Sequence, residues 1–315
     1  MATLDVRPLQ DDLPFGARIR GVTRKALADE AVRAEIVRTF EDRGMIVFEG
    51  IENTSDMQVL LSKVFGPLKD HPVRTVERVD AEKMPGVISI RTGPEANIVE
   101  IEGKQLMTWQ PWHFDHSYNN ELNRAGVLRA EVIPPEDGLT AFCDGIQIWN
   151  DLDEATRREL DGIEIAYTLD LRYSQQWFGL PKTFKEIKPK GSALAELAKS
   201  LPRAIHPAVW QRSTGEKVVH LSPYGAQGIL GDETAEGKAT LVRLWDKVES
   251  VMKTYRHKWR PDDMLVWDNW RMLHQACGVS TQFERIMHRT TIKGDYGFGR
   301  WEQGAPAPGV LTEQM

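Results

Sequence analysis

Two cysteines in 315 residues, Cys143 and Cys277, with no CxxC spacing, are too few for a disulfide framework or a thiolate zinc site. They read as buried small hydrophobes in a reducing compartment. No long apolar run opens the chain. Met1 to Asp12 is polar and acidic, so neither a signal peptide nor a transmembrane helix is expected. No basic block is present either, and the formal net charge is −6. That balance argues against nucleic acid or an anionic membrane as partner. Any anion the protein binds must therefore meet local cations. Internal repeats, low-complexity tracts and long linkers are also missing. The expectation is a cytoplasmic protein forming one domain over residues 1–315, with a Pro/Gly-containing tail over 304–315 that is mobile.

What is present is ordinary in bulk and unusual in detail. Hydrophobic residues make up 41% and charged residues 27%, enough for a sizeable core, and ten tryptophans cluster around the more informative stretches. Phe15 to Val22 reads as strand-rich, ending at Thr23 as a helix cap. Ala26 to Asp42 carries Val32, Ile36, Val37 and Phe40 at helical spacing and breaks at Gly44. Met45 to Phe48 is a short buried strand. A second helix, capped at Thr54, runs through Leu60, Leu61 and Val64 to Gly66-Pro67. Later β runs are Val87–Arg91, Ala125–Ile133, Leu139–Cys143, Ile163–Thr168, Lys217–Leu221, Met264–Trp267 and Arg285–Lys293. Asp151–Leu160 and Glu233–Met252 read as helices. Many short strands with turn signals and helices confined to insertions predict an α+β chain, mostly β, built on a jelly roll, or double-stranded β-helix.

The chemistry gathers around Trp112-His113-Phe114-Asp115-His116. On an extended strand, His113 and Asp115 point the same way because side chains alternate with period two. An imidazole and a carboxylate are then two-thirds of a 2-His-1-carboxylate facial triad, which holds Fe(II) and leaves coordination positions open. His274, in Trp267-Asp268-Asn269-Trp270-Arg271-Met272-Leu273-His274, offers the third ligand. It lies far downstream, but a jelly roll sets distant strands side by side. Arg285 and Arg289 share a strand face roughly 13 Å apart at about 3.3 Å per residue. Guanidinium is the preferred partner of carboxylates and related oxyanions. Two inward arginines on a core strand are costly unless each meets an anion. That points to two anionic small molecules, or to one anion and one buried acid.

The ordered set W-H-x-D, G-x-T, W-D-N-x-x-x-x-H and R-x-M-H-R resembles the TauD/TfdA family of Fe(II)- and 2-oxoglutarate-dependent dioxygenases. The resemblance extends from Gly16-Ala17 and Phe65-Gly66 to Gly294-Asp295. It implies a jelly-roll enzyme whose cofactors are Fe(II), 2-oxoglutarate and O2, releasing succinate and CO2. His113, Asp115 and His274 would be the catalytic metal ligands, and the ligand Asp115 argues against a halogenase. Thr140, in Asp137-Gly138-Leu139-Thr140, and Arg285 would hold the distal carboxylate of 2-oxoglutarate. Arg289 matches an arginine facing a substrate's anionic group, and His71 matches a substrate-contacting histidine. Trp109 stands where the taurine-oxidising member has an asparagine. With Met107, Trp112, Tyr118 and Trp177-Phe178 it implies a larger, more apolar pocket, with Trp109 and Tyr118 as substrate contacts. The run Gly138 to Asp144 leans to the herbicide-cleaving branch. The partner implied is a small organic anion with an apolar or aromatic body, such as an aryloxyalkanoate, hydroxylated with or without C–O or C–S cleavage. A sulfonate or alkyl sulfate is the alternative. Members form dimers and tetramers, so a homo-oligomer stays open.

Blander readings stand beside these. H-x-D alone occurs by chance, Thr140 could be an ordinary strand residue, and Arg289 could pair with an internal acid. His116 reads as a loop residue. His206, His220 and His257 read as structural or exposed, and His288 as a packing histidine facing away from the arginines. Two rival functions remain, a non-catalytic cupin-like binding protein and a zinc hydrolase using the same three ligands. Neither needs Thr140 and Arg285.

Overall fold

Met45-Ile46-Val47-Phe48 is apolar at every position because its strand, Met45–Glu49, is covered on both faces. Ile46 and Phe48 face Ile36 and Phe40 of the helix Glu30–Arg43 and Met57 and Leu61 of the helix Ser55–Ser62. Met45 and Val47 face Phe142, Leu265, Trp267 and Met272 in the interior. The structure, a computed structural model, describes residues 4–71, 76–94, 96–189 and 193–306. Most of the tail expected to be mobile lies outside these, as do Pro72 and Val73 beside His71.

The large sheet runs Asp5–Pro8, Ala17–Arg20, Met45–Glu49, Asp263–Asp268, Ala125–Val132, Ile286–Ile292, Met84–Arg91 and Arg78–Asp80, with Leu68–Lys69 pairing to Ile286–Ile292. Ala17–Arg20 and Met45–Glu49 pair in parallel, and the other pairings of this sheet are antiparallel. Opposite it stands a small sheet in the order Tyr255–His257, Thr140–Asp144, Met272–Ala276. The two close on a core of Leu128, Ala130, Phe142, Trp267, Met272 and Met287. A further core packs the helix Ala235–Val251 against Trp112, Phe114, Tyr167 and Phe178. This is the predicted jelly roll with helices outside. Among the described residues no helix is long and apolar enough to cross a membrane.

The predicted helix over Ala26–Asp42 is two helices, Arg24–Ala28 and Glu30–Arg43. Asp29 divides them: its extended backbone (φ −79°, ψ 123°) ends the first, and its carboxylate caps the second at Ala31. Gly44, left-handed at φ 76°, ends the second. The helix predicted from Asp151 starts at Glu154, capped by Asp153. The helix Gly145–Asp151 before it carried no strong periodicity; Gly145 is there because a Cβ would lie 2.4 Å from the Val219 carbonyl.

One buried pair links these layers. Asp144, at the end of its strand, takes two hydrogen bonds of 2.8 Å from Arg271 and caps Gly145–Asp151 at Ile146. Arg271 also donates to the Asp42 carbonyl at 2.8 Å, joining the loop before His274 to the end of an outer helix. Removing one partner of a buried ion pair strands the other and costs about 3–5 kcal/mol. Asp144→Ala is therefore expected to lower the unfolding free energy by about that much, read by urea denaturation.

Candidate active site

His113 and His274 meet through the backbone. The His113 N–H donates to the His274 carbonyl at 2.9 Å, and the His274 N–H donates back at 2.8 Å. Met272–Ala276 is thus flanked by Thr140–Asp144 on one side and by His113 on the other, and the two imidazole centroids lie 4.1 Å apart. The expected strand for His113 and Asp115 is corrected here. His113 makes one isolated bridge, and the chain turns at once through Asp115 and His116, whose φ is 59°. Asn269 replaces the missing ladder. Its Oδ1 accepts from the Asp115 N–H at 2.7 Å, and its Nδ2 donates to the Asp115 carbonyl at 3.1 Å and to Asn123. Convergence survives because this clamp fixes the turn.

Ligating atoms of His113, Asp115 and His274 all lie within 4.8 Å of one another, and all three residues are buried. Asp115 Oδ1 is 3.6 Å from His274 Nε2, a span that two ligands about 2.1 Å from a common ion can bridge. The Nδ1–H of His113 donates to the Pro111 carbonyl at 2.7 Å, which leaves Nε2 with its lone pair for a metal. Burial, then the neighbouring His113, push the His274 imidazole well below the usual range and keep it neutral. Burial would raise the Asp115 carboxyl, but Arg289, then the imidazoles of His274 and His113, outweigh it and hold the group ionised. Two imidazoles and a carboxylate form a donor set suited to a divalent ion.

Arg289 donates to Asp115 Oδ1 at 2.8 Å, its second nitrogen lies 2.7 Å from Oδ2, and its guanidinium stacks 5.4 Å from the Trp267 ring. The internal acid weighed for it in the sequence is thus Asp115. Arg285 differs. It is buried, donates to the Gly138 carbonyl at 3.1 Å and to Thr140 Oγ1 at 3.3 Å, and has no carboxylate partner among the described residues. Burial pushes it down to about 10, so it stays a cation at neutral pH. Trp259, which sequence reasoning passed over, donates its indole N–H to the same Thr140 oxygen at 3.1 Å. With two donors aimed at that oxygen, the hydroxyl hydrogen of Thr140 is left to give to another acceptor.

The aromatic expectations divide. Tyr118 is buried, 5.8 Å from the His116 ring, and the His71 ring lies edge-on 5.2 Å from His116. Trp109 packs with Val99, Leu106 and Tyr173, two rings removed from the triad: Tyr224 stacks 6.4 Å from Tyr173 and reaches to 5.7 Å from His113. Trp112 and Phe178 belong to the core beneath the long helix, whereas Trp267 lies 4.9 Å from the His274 ring. His288 bonds to Arg129 at 2.7 Å on the far face, the packing role expected of it. His206, His220 and His257 are fully or nearly fully buried.

Residues 5–291 match the family described as "Taurine catabolism dioxygenase TauD, TfdA family". The chain belongs to the TauD/TfdA family. A (S)-phenoxypropionate/alpha-ketoglutarate-dioxygenase of Sphingobium herbicidovorans is 27% identical over 293 residues, 92% of this chain and 95% of that one. An alpha-ketoglutarate-dependent sulfate ester dioxygenase of Pseudomonas putida is 25% identical over 303 residues, covering 94% and 91%. The crystal structure of a taurine dioxygenase from Burkholderia xenovorans superposes with a TM-score of 0.68 at 23% identity, covering 96% of this chain and 93% of that chain, which establishes the fold. This TauD/TfdA protein is therefore a dioxygenase dependent on Fe(II) and 2-oxoglutarate (alpha-ketoglutarate), and its donor set fits that metal.

Asn269 touches no ligand atom but holds the turn bearing Asp115. Loss of such support typically weakens metal binding about 10–100-fold. Asn269→Ala is expected to weaken Mn(II) binding, measured by calorimetry, within that range while the protein remains folded by circular dichroism.

Proposed function

We propose that this TauD/TfdA dioxygenase, as one catalytic domain, hydroxylates a small organic anion with an apolar or aromatic body, such as an aryloxyalkanoate. In this reading His113, Asp115 and His274 hold the iron, and Thr140 and Arg285 hold the distal carboxylate of 2-oxoglutarate. His71 and Arg289 face the substrate's anionic group, with Tyr118 and, more remotely, Trp109 bounding its body. The observation that carries the reading is Arg285: a buried guanidinium with no acid partner among the described residues, beside a threonine hydroxyl left to donate and in the same fold as a three-donor metal site. A buried cation without an anion is costly, so the site is built for a carboxylate that arrives from solution.

Bound there, iron and 2-oxoglutarate supply the oxidation, in which O2 and 2-oxoglutarate give succinate and CO2 and one oxygen atom enters a substrate C–H bond. The protein's own residues do the positioning. Arg285 and Thr140 would hold the distal carboxylate of 2-oxoglutarate, as His113, Asp115 and His274 would hold the iron. Arg289 can turn from Asp115 to an incoming anion while remaining stacked on Trp267. Where the hydroxylated carbon also carries an ether oxygen, the resulting hemiacetal breaks to an alcohol or phenol and a carbonyl compound. The phenoxypropionate and sulfate ester relatives support an oxyanion on a larger body, and both classes belong in the substrate panel.

Anaerobic titration with Fe(II) and 2-oxoglutarate tests the cofactor reading. The wild-type protein is expected to show the weak visible charge-transfer band of the chelate, and His274→Ala to lack it. Arg285→Leu is expected to raise the 2-oxoglutarate concentration required by at least about thirtyfold, the ~2 kcal/mol floor for removing one partner of a buried charge pair. Succinate release is then screened with aryloxyalkanoates, sulfonates and alkyl sulfates. Metal binding without the band, or indifference of Arg285→Leu, would bring the zinc hydrolase or binding-protein alternative forward.

A further inference from the structure

His116 follows Asp115 in the chain but takes no part in the triad. Its residue exposure is only 6%, and neither ring nitrogen has a hydrogen-bond partner among the described residues. A neutral imidazole carries one N–H to give and one lone pair to fill. Buried polar groups in folded proteins are almost always satisfied, and one left open is a place for something that binds. The surroundings indicate what that is. The His71 ring meets the His116 ring edge-on at 5.2 Å, and Tyr118 bounds it at 5.8 Å. Lys69 pairs with Thr291, two residues from Arg289 along the same strand, and Asp115, the acid next to His116 in the chain, is already engaged by Arg289. Lys69 is itself buried, giving an N–H to the Glu121 carbonyl at 3.2 Å, with further N–H groups on the same ammonium.

We propose that His116 recognises the substrate's anionic group, donating a ring N–H to one of its oxygens, with the ammonium of Lys69 as its cationic partner. The assignment rests on the dioxygenase reading above and extends it to two residues that the family resemblance does not mark. Donors then reach the oxyanion from three places: the turn after Asp115, the Leu68–Lys69 strand, and Arg289 on the adjacent Ile286–Ile292 strand. The shared chemistry is an oxyanion, carboxylate or sulfate.

The test uses enzyme loaded with Fe(II) and 2-oxoglutarate under anaerobic conditions. Two quantities are read: the chelate band, and the affinity for inorganic sulfate and for phenoxyacetate by calorimetry. His116→Asn keeps a residue that tolerates the left-handed backbone, and His116→Gln restores a longer N–H donor. The expected result is an unchanged band, affinity for whichever anion the wild type binds lowered at least tenfold in His116→Asn, and most of it recovered in His116→Gln. Preference between the two anions tells sulfate from carboxylate recognition. Equal affinity in wild type and His116→Asn overturns the proposal, as does wild-type enzyme that binds neither anion. Loss of the band in His116→Asn also overturns it, by making His116 a support of the metal site. Should His116→Asn fail to fold, Lys69→Met decides, with unchanged anion affinity again fatal. Absence of the band in the wild type instead strikes the dioxygenase reading itself, and the proposal falls with it.

Discussion

Two backbone hydrogen bonds, exchanged between His113 and His274, hold the rest of this site together. They are made by groups that every residue carries, so they specify no chemistry. They do fix two imidazoles side by side on segments far apart in sequence. Everything else supports that juncture. Thr140–Asp144 pairs with the other edge of the His274 strand, and the Arg271–Asp144 pair ties the end of that ladder to an outer helix. Asn269, on the loop between the two late strands, reaches back to clamp the turn carrying Asp115. The carboxylate thus sits on a turn and its partners on a ladder, an arrangement that places three donors around one point without a distorted strand.

Charge is the second constraint. Lys69, Arg285 and Arg289 are buried cations, and Asp115 is the buried carboxylate set among them. Burial draws Lys69 down to about 8, partly offset by Glu121, so at neutral pH it remains mostly protonated. The surplus is positive before any metal ion adds to it. A protein whose overall charge is −6 has gathered this local excess against its own average. Such an arrangement is costly in isolation and is relieved when anions enter. A dianionic co-substrate would offset part of this excess, and the anionic substrate proposed above would offset more.

The residues that a sequence reveals are those whose chemistry is rare and whose order is meaningful. His113, Asp115 and His274, which the structure brings together, were legible because their residue types and order match a family pattern, and the same pattern named Thr140, Arg285 and Arg289 as candidates. The jelly roll was legible for a related reason: both-sided burial writes apolar runs such as Met45 to Phe48. The strand assigned to His113–Asp115 failed because period-two reasoning presumes a ladder, and the partner that replaced it is the side chain of Asn269, remote in sequence. Trp259 stayed hidden because its one polar contact, to Thr140, is set by strand register and leaves no periodic mark. The tryptophans were ambiguous in sequence for the opposite reason. A large ring near a motif in sequence can turn either way, and Trp112 turned into the core of the long helix while Trp109 turned to Tyr173 and Phe184.

The same logic separates the two arginines that the sequence treated as alike. Met287 lies between them and faces the interior core, so the strand presents this whole face inward. Their environments differ because their neighbours across the sheets differ. Arg289 lies over Trp267 and within reach of Asp115, so its charge has an answer inside the fold. Arg285 stands one residue before the strand begins, next to a register shift between Ile286 and Met287, and among the described residues its guanidinium reaches a carbonyl and a hydroxyl. An arginine already paired can be recruited by competition, whereas one left without an acid requires a ligand. The first property suits a substrate contact that engages when an anion arrives. The second suits a co-substrate clamp, and it makes the emptier-handed of the two arginines the more informative about function.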